Sequence, residues 1–213
     1  MRVTCQEIFV DISLTTAPQR VLENGQTLVE SGQRAPVWRV LSGVLRLERP
    51  SADGQMLVQL ALPGDLVGVE ALCAQPHAFS ATALTDCRIE TVEVTGELSH
   101  YATMAKGFLQ QQRQTLDMMR LRSGPIQQRV AYLLTVLGKD IDGRARPVLR
   151  EELPTLREMA QIVDSALETV CRELSVLLPR KAKETAKAPV RKAARSRSRW
   201  VQPVAMPAMA MTA

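Results

Sequence analysis

Leu167, Glu168, Thr169, Cys171 and Arg172 set a carboxylate, a hydroxyl, a thiol and a guanidinium side by side at the start of an amphipathic segment. Hydrogen-bond donors and acceptors grouped near a helix N-terminus can meet base edges when a short helix enters the major groove of DNA. Two start signals position them. Thr155 and Glu158 form a T-x-x-E capping box, and Ser165 and Glu168 an S-x-x-E box ten residues later. The spacing predicts a helix–turn–helix over 156–177, with Met159, Ala160, Val163, Val170, Leu174 and Leu177 in contact across the interhelical angle. Small Ala160 permits close approach of the two axes. The candidate DNA-contacting set is Thr155, Ser165, Leu167, Glu168, Thr169, Cys171 and Arg172. Two plainer readings stand beside it: an ordinary αα-hairpin, and a Glu168–Arg172 surface ion pair at i,i+4, worth a few tenths of a kcal/mol.

The elements before this window change character once. From Thr27 to Val94 short apolar runs alternate with turn residues: Val37–Leu41, Val44–Leu47, Met56–Leu62, Leu66–Val69, Phe79–Leu84 and Arg88–Val94. Asp53-Gly54 signals a hairpin and Pro63-Gly64-Asp65 a second tight turn. This predicts an antiparallel double-sheet jelly roll or small barrel. From Glu97 to Ser123 there is no proline and one glycine, Gly107. The expected helix carries a stripe of Met104, Phe108, Gln111, Thr115, Met118 and Arg122, which either pairs with a second copy or packs on the β part. Gly124-Pro125 ends it. A second helix is expected over Ile126–Leu137, then a polar loop, Gly138 to Arg146.

Composition narrows the class. Hydrophobic residues make up 46% of the 213 and aromatic residues 3%, so the core must be aliphatic. The four cysteines, at 5, 73, 87 and 171, form no C-x-x-C pair, which excludes a zinc ribbon and gives no disulfide framework. No secretory signal is visible at the start, and no apolar run reaches the roughly 18 residues of a membrane span, so a cytoplasmic protein without membrane association is expected. The formal charge of +5 is uneven: between 179 and 213 nine Lys/Arg face one acid, leaving the remainder at −3. That Ala/Lys/Arg/Pro-rich tail has no period and is expected to be disordered. It reads either as an arm that binds phosphates with strong salt dependence or as the replacement of a lost element. With two histidines, no nucleophile motif and no phosphate-binding glycine loop, catalysis is not expected.

LVESGQRAPVWRVLSGVLRLERPSADGQMLVQLALPGDLVG and QIVDSALETVCREL, with the Gly43, Asp53-Gly54 and Pro63-Gly64-Asp65 punctuation, resemble the Crp/Fnr family of bacterial transcription regulators over about three-quarters of the chain, Val21 to Leu178. The resemblance implies an α+β protein. Residues 1–96 would be a cyclic-nucleotide-binding-like β roll, 97–123 a dimerisation helix, 124–178 a helix–turn–helix domain and 179–213 the tail. It implies a homodimer that binds a palindromic site in double-stranded DNA, with RNA polymerase as a candidate further partner. Glu168 and Arg172 match the base-reading positions: Glu accepts from cytosine, and Arg forks onto guanine O6 and N7. Relatives carry serine or glycine at Cys171, some carry arginine at Leu167, glycine is usual at Asp164 and an apolar residue at Glu173. The β wing that follows the recognition helix in relatives has no counterpart after Leu178-Pro179. These departures keep a rival open, a ligand- or redox-sensing β roll with a degenerate DNA-binding end.

The resemblance also locates an effector pocket at Gly68, Val69, Glu70, Phe79, Ser80 and Ala81. Family members that bind cyclic AMP use a Gly-Glu pair and an Arg-Ser pair. Here the glutamate is displaced by one, which on a strand turns it to the other face, and Phe79 replaces the phosphate-neutralising arginine. Cyclic AMP is therefore not expected as the signal, and the effector is unknown. No cofactor or metal is expected. Cys73 and His77 do not match a haem-ligating spacing and read as a buried thiol and a surface loop histidine, and Cys5 alone near the start cannot hold an iron–sulfur cluster. Redox sensing at Cys5, Cys73 or Cys87 would rest on Arg88 beside Cys87 as the one activating cation.

Overall fold

The computed structural model describes residues 18–52 and 54–179. The expectations for Cys5, Asp53, the basic tail and the missing wing lie outside the described residues, wholly or in large part.

Among the described residues, eight short strands build two four-stranded antiparallel sheets. They are β1 (Gln19–Leu22), β2 (Thr27–Val29), β3 (Trp38–Ser42), β4 (Leu45–Ser51), β5 (Gly54–Ala61), β6 (Leu66–Val67), β7 (Ser80–Ala83) and β8 (Cys87–Thr91). One sheet has the order β1-β8-β3-β6 and the other β2-β7-β4-β5. Alternation decides which side chains meet: in β3, Trp38 and Val40 point inward while Arg39 reaches Glu90 on β8. Leu22, Trp38, Val40, Leu45, Ala81 and Ile89 fill the space between the sheets. The hairpin β4–β5 pairs Ser51 with Gly54, as the Asp-Gly signal predicts. In the Pro63-Gly64-Asp65 turn, Asp65 takes the Leu62 N–H on its carboxylate at 2.9 Å.

The helices follow: α1 (Glu97–Arg122), α2 (Ile126–Leu137), α3 (Leu156–Ile162) and α4 (Leu167–Leu177). A second apolar core joins Leu60, Leu62 and Leu84 of the β part to Met118 and Leu121 of α1, Val130 and Leu133 of α2, Met159 of α3, and Val170 and Leu174 of α4. No helix among the described residues is long and apolar enough to cross a membrane.

Three expectations need correction here. β6 ends at Val67, and Val69–Cys73 coil into a 3-10 turn after Gly68 adopts a left-handed φ of 81°. The strand-face argument for Glu70 therefore does not apply. His77 is the buried member of its pair, 3% exposed, and Cys73 the exposed one. The imidazole packs 5.3 Å from the Trp38 ring and its Nε2 lies 3.1 Å from the Ala35 carbonyl. The stripe expected on α1 is also split: Met118 is buried while Phe108 is 61% exposed.

Candidate nucleic-acid interface

The Thr155 capping box forms. Its hydroxyl accepts the Glu158 N–H at 3.3 Å, and the Glu158 carboxylate accepts the Thr155 N–H at 2.9 Å, so two of the helix's free donors are satisfied reciprocally. α3 then stops because the chain turns left-handed at Asp164, φ 49°. Asp tolerates this better than most residues, though not as freely as glycine. The Ser165 N–H bonds back to the Ala160 carbonyl at 3.0 Å.

That turn shifts the second helix start. Ala166, not Ser165, is the N-cap of α4, and it offers no side-chain cap; the Thr169 and Val170 N–H groups bond to its carbonyl. The S-x-x-E box is thus not formed. Ser165 lies one residue before that cap, its N–H already used to close α3, so the Ser165–Glu168 pair is offset by one position from the N-cap and N3 sites a box requires.

On α4, Val170 and Leu174 are buried, Thr169 and Cys171 half-buried, and Leu167, Glu168 and Arg172 exposed. No ion pair joins Glu168 to Arg172 among the described residues. Both side chains are free to meet an outside group. Thr155 and Arg157 are exposed at the start of α3. Between the helices a concavity of about 360 Å³ is lined by Arg157, Gln161, Asp164, Ser165 and Leu167, among others. Glu173 is half-buried beside the buried Leu174, which lets a charged residue stand at this edge of the packing surface.

Arg157, Gln161 and Arg129 were not among the residues expected from the sequence. Arg157 and Gln161 lie four apart on the polar side of α3, a spacing that marks one helix face. Arg129, on α2, donates from Nη1 to the Val163 carbonyl at 2.6 Å and to the Asp164 carbonyl at 3.2 Å. A cation on these carbonyls complements the negative end of α3 and fixes the turn that orients α4. Nothing local in the sequence announces a contact across 34 residues.

Four of the six pocket residues come together. Gly68, Val69, Glu70 and Phe79 line one cavity between the β roll and α1, whose free volume is about 20 Å³. That holds about one water, whereas small-molecule pockets measure about 300–1,000 Å³. Gly68 lies against the His77 ring, so closely that any Cβ would overlap the imidazole. Phe79 is stacked under Arg49, whose guanidinium carbon is 4.8 Å from the ring centroid. Ser80 and Ala81 are not part of the cavity: the Ser80 hydroxyl accepts the Ser31 N–H at 3.0 Å, and Ala81 is buried between the sheets.

The outward side of α1 is apolar. Leu98, Tyr101, Leu109, Leu116 and Met119 are 75, 65, 63, 56 and 59% exposed. Leu98, Ala102, Ala105, Leu109, Gln112, Leu116 and Met119 recur at steps of four and three, the spacing of a helix–helix seam. Of the thiols, Cys87 is buried, and burial pushes its pKa up to about 11. Arg88 donates to Gln19 instead of activating it.

Residues 19–95 match the family model of the cyclic nucleotide-binding domain. The chain is 29% identical over 153 residues to the transcriptional regulator SdrP of Thermus thermophilus, covering 68% of this chain and 73% of that one. Among solved structures it is similar to a CRP family transcriptional regulator from the same organism (TM-score 0.57, 23% identity, 74% of this chain and 83% of that one). It is likewise similar to FixK2 from Bradyrhizobium japonicum (TM-score 0.56, 23% identity, 76% and 84%). The last two likenesses show a shared fold.

Proposed function

We propose that this chain, of the CRP/FNR type in its domain sequence and its fold, is a cytoplasmic transcription regulator that binds a palindromic site in double-stranded DNA as a homodimer. The observation that carries this reading is the exposed, mutually unpaired Glu168 and Arg172 at the start of α4, held in place by the α3 capping box and by Arg129. Residues 156–177 act as a helix–turn–helix. α4 enters the major groove, where Arg172 forks onto a guanine and Glu168 accepts from a cytosine amino group. Thr155, Thr169 and Arg157 face the flanking phosphates, with Ser165, Leu167 and Cys171 completing the contact surface. The apolar side of α1 forms the seam of the dimer and sets two α4 helices about 34 Å apart, one turn of DNA. The small cavity and Phe79 in the β roll speak against cyclic AMP as the signal, because a buried phosphate would lack a fixed cation there.

The test is Arg172→Ala in the full-length protein, with binding to single-base-pair variants of its best duplex followed by fluorescence anisotropy. Specific affinity is expected to fall by about 1–3 kcal/mol, with discrimination lost at one base pair per half-site. An equal loss on every duplex, random sequence included, would make Arg172 a nonspecific contact and remove the base-reading role.

A further inference from the structure

The hollow between the β roll and α1 is closed by the protein's own groups. β6 is the end strand of its sheet, so the backbone of Leu66 lacks a strand neighbour on one side. Gln110 of α1, 7% exposed, lays its side-chain amide along that edge. Its Oε1 accepts the Leu66 N–H at 2.7 Å, and its Nε2 donates to the Leu66 carbonyl at 2.7 Å. This pair of bonds is the exchange a neighbouring strand residue would make. One turn further along α1, Gln114, 2% exposed, donates to the Asp65 carboxylate at 3.0 Å, and Arg113 pairs with the other oxygen of that carboxylate. One turn earlier, Gly107 lies so close to Val69 that a Cβ would stand 2.7 Å from a Val69 methyl. Gln110 lies at the centre of these contacts, where a ligand would have to bridge the two elements.

We propose that Gln110 is the positioning residue that stands in for an effector. Its two bonds to Leu66 seat α1 on the β roll, so that the outward seam of α1 and the DNA-binding dimer form with no small molecule in this cavity. The assignment deepens the regulator reading above and rests on it. In the low-polarity interior each bond is worth more than at the surface, and losing one strands the Leu66 carbonyl without a donor.

The experiment uses the full-length chain, unfolded in denaturant, dialysed free of small molecules and refolded. Dimerisation is read by sedimentation and DNA binding by anisotropy, for the wild type, Gln110→Glu and Gln110→Leu. The refolded wild type is expected to keep both its dimer and DNA dissociation constants within about twofold, unchanged by added cyclic AMP. Gln110→Glu at about pH 8 presents a carboxylate to the Leu66 carbonyl and is expected to weaken the dimer about tenfold or more. On acidification to about pH 5.5 the carboxyl, its pKa raised by burial, regains a proton to donate and the dimer recovers. Gln110→Leu does not recover, and it controls for any effect of pH on the other charged and titratable groups around the same contact, Glu70, His77, Asp65, Arg113 and Lys106. A wild type that dimerises only after a small molecule is added back overturns the proposal, as does a Gln110→Glu that matches the wild type at every pH. A dimer with the expected pH behaviour but no sequence preference on DNA would uphold the Gln110 role and sink the regulator reading. Gln110→Asn, which keeps the amide but stops one methylene short of Leu66, is the milder third variant: a folded protein with a weakened dimer supports the role, and a wild-type dimer constant overturns it.

Discussion

Replacing Leu109 and Leu116 together with alanine removes the centre of the outward seam of α1 without touching the fold's own core. The two residues lie one heptad apart and are 63 and 56% exposed in the single chain. Burying a whole leucine is worth about 1.5–3 kcal/mol, so covering the exposed part of each is worth about 1 kcal/mol. Two side chains from each protomer then contribute about 4 kcal/mol, which corresponds to about a thousandfold in the dimer dissociation constant. Alanine is at least as good a helix former as leucine, so α1 itself survives. Sedimentation equilibrium over a range of concentrations measures the shift. Met118→Ala is the counterpart on the inward side: Met118 is 6% exposed, and its loss is expected to cost about 2–5 kcal/mol of fold stability with no specific effect on dimerisation. A change of less than about tenfold in the Leu109/Leu116 variant, or a wild type that sediments as a monomer at every concentration, would refute the assignment of this face as the seam.

Arg129→Met leaves the Val163 and Asp164 carbonyls without their donor and is expected to lower the thermal midpoint, by about 1–3 kcal/mol of stability. Asp164→Gly relieves the left-handed turn and is expected to raise stability by about 0.5–1 kcal/mol. A stabilising Arg129→Met or a destabilising Asp164→Gly in calorimetry would contradict this account of the turn. For the thiols, mass-spectrometric footprinting with a thiol reagent at neutral pH should label exposed Cys73 and spare Cys87. Because the Cys87 pKa is raised from 9.0 to about 11 in the folded state, the fold holds that proton more tightly than the unfolded chain, and stability is lost as pH rises between those values. Prompt labelling of Cys87 in the native protein would revive it as a redox sensor.

Much of the architecture was legible because its signals are local. Short β-rich runs bounded by glycine and proline give β3 to β8, and Gly124-Pro125 separates α1 from α2 where the ladder must break. β1 was not legible, since only Leu22 of Gln19–Leu22 is buried and no alternation shows. The stripe expected on α1 is split for a physical reason. The inward face of this helix carries polar groups beside the apolar Met118 and Leu121, with Gln110 bonded to Leu66, Gln114 to Asp65 and one Asp117 oxygen to Tyr132, while much of the apolar surface points outward. The second capping box failed by one residue because Asp164 takes up an extra position in the turn. Among the pocket residues, Gly68 to Glu70 and Phe79 were placed together by resemblance. That the cavity between them is nearly full depends on Gln110, His77 and Gly107, which no spacing rule connects to it.

Selection of binding sites from random duplex DNA by the full-length protein at about 150 mM salt reads base recognition by α4 without presupposing an operator. A two-fold symmetric consensus is expected, with half-sites about 10 base pairs apart, centre to centre, each half containing a base pair that Arg172→Ala no longer selects. Enrichment of no sequence, with binding that falls away uniformly as salt rises, would contradict it and leave α4 without a reading role.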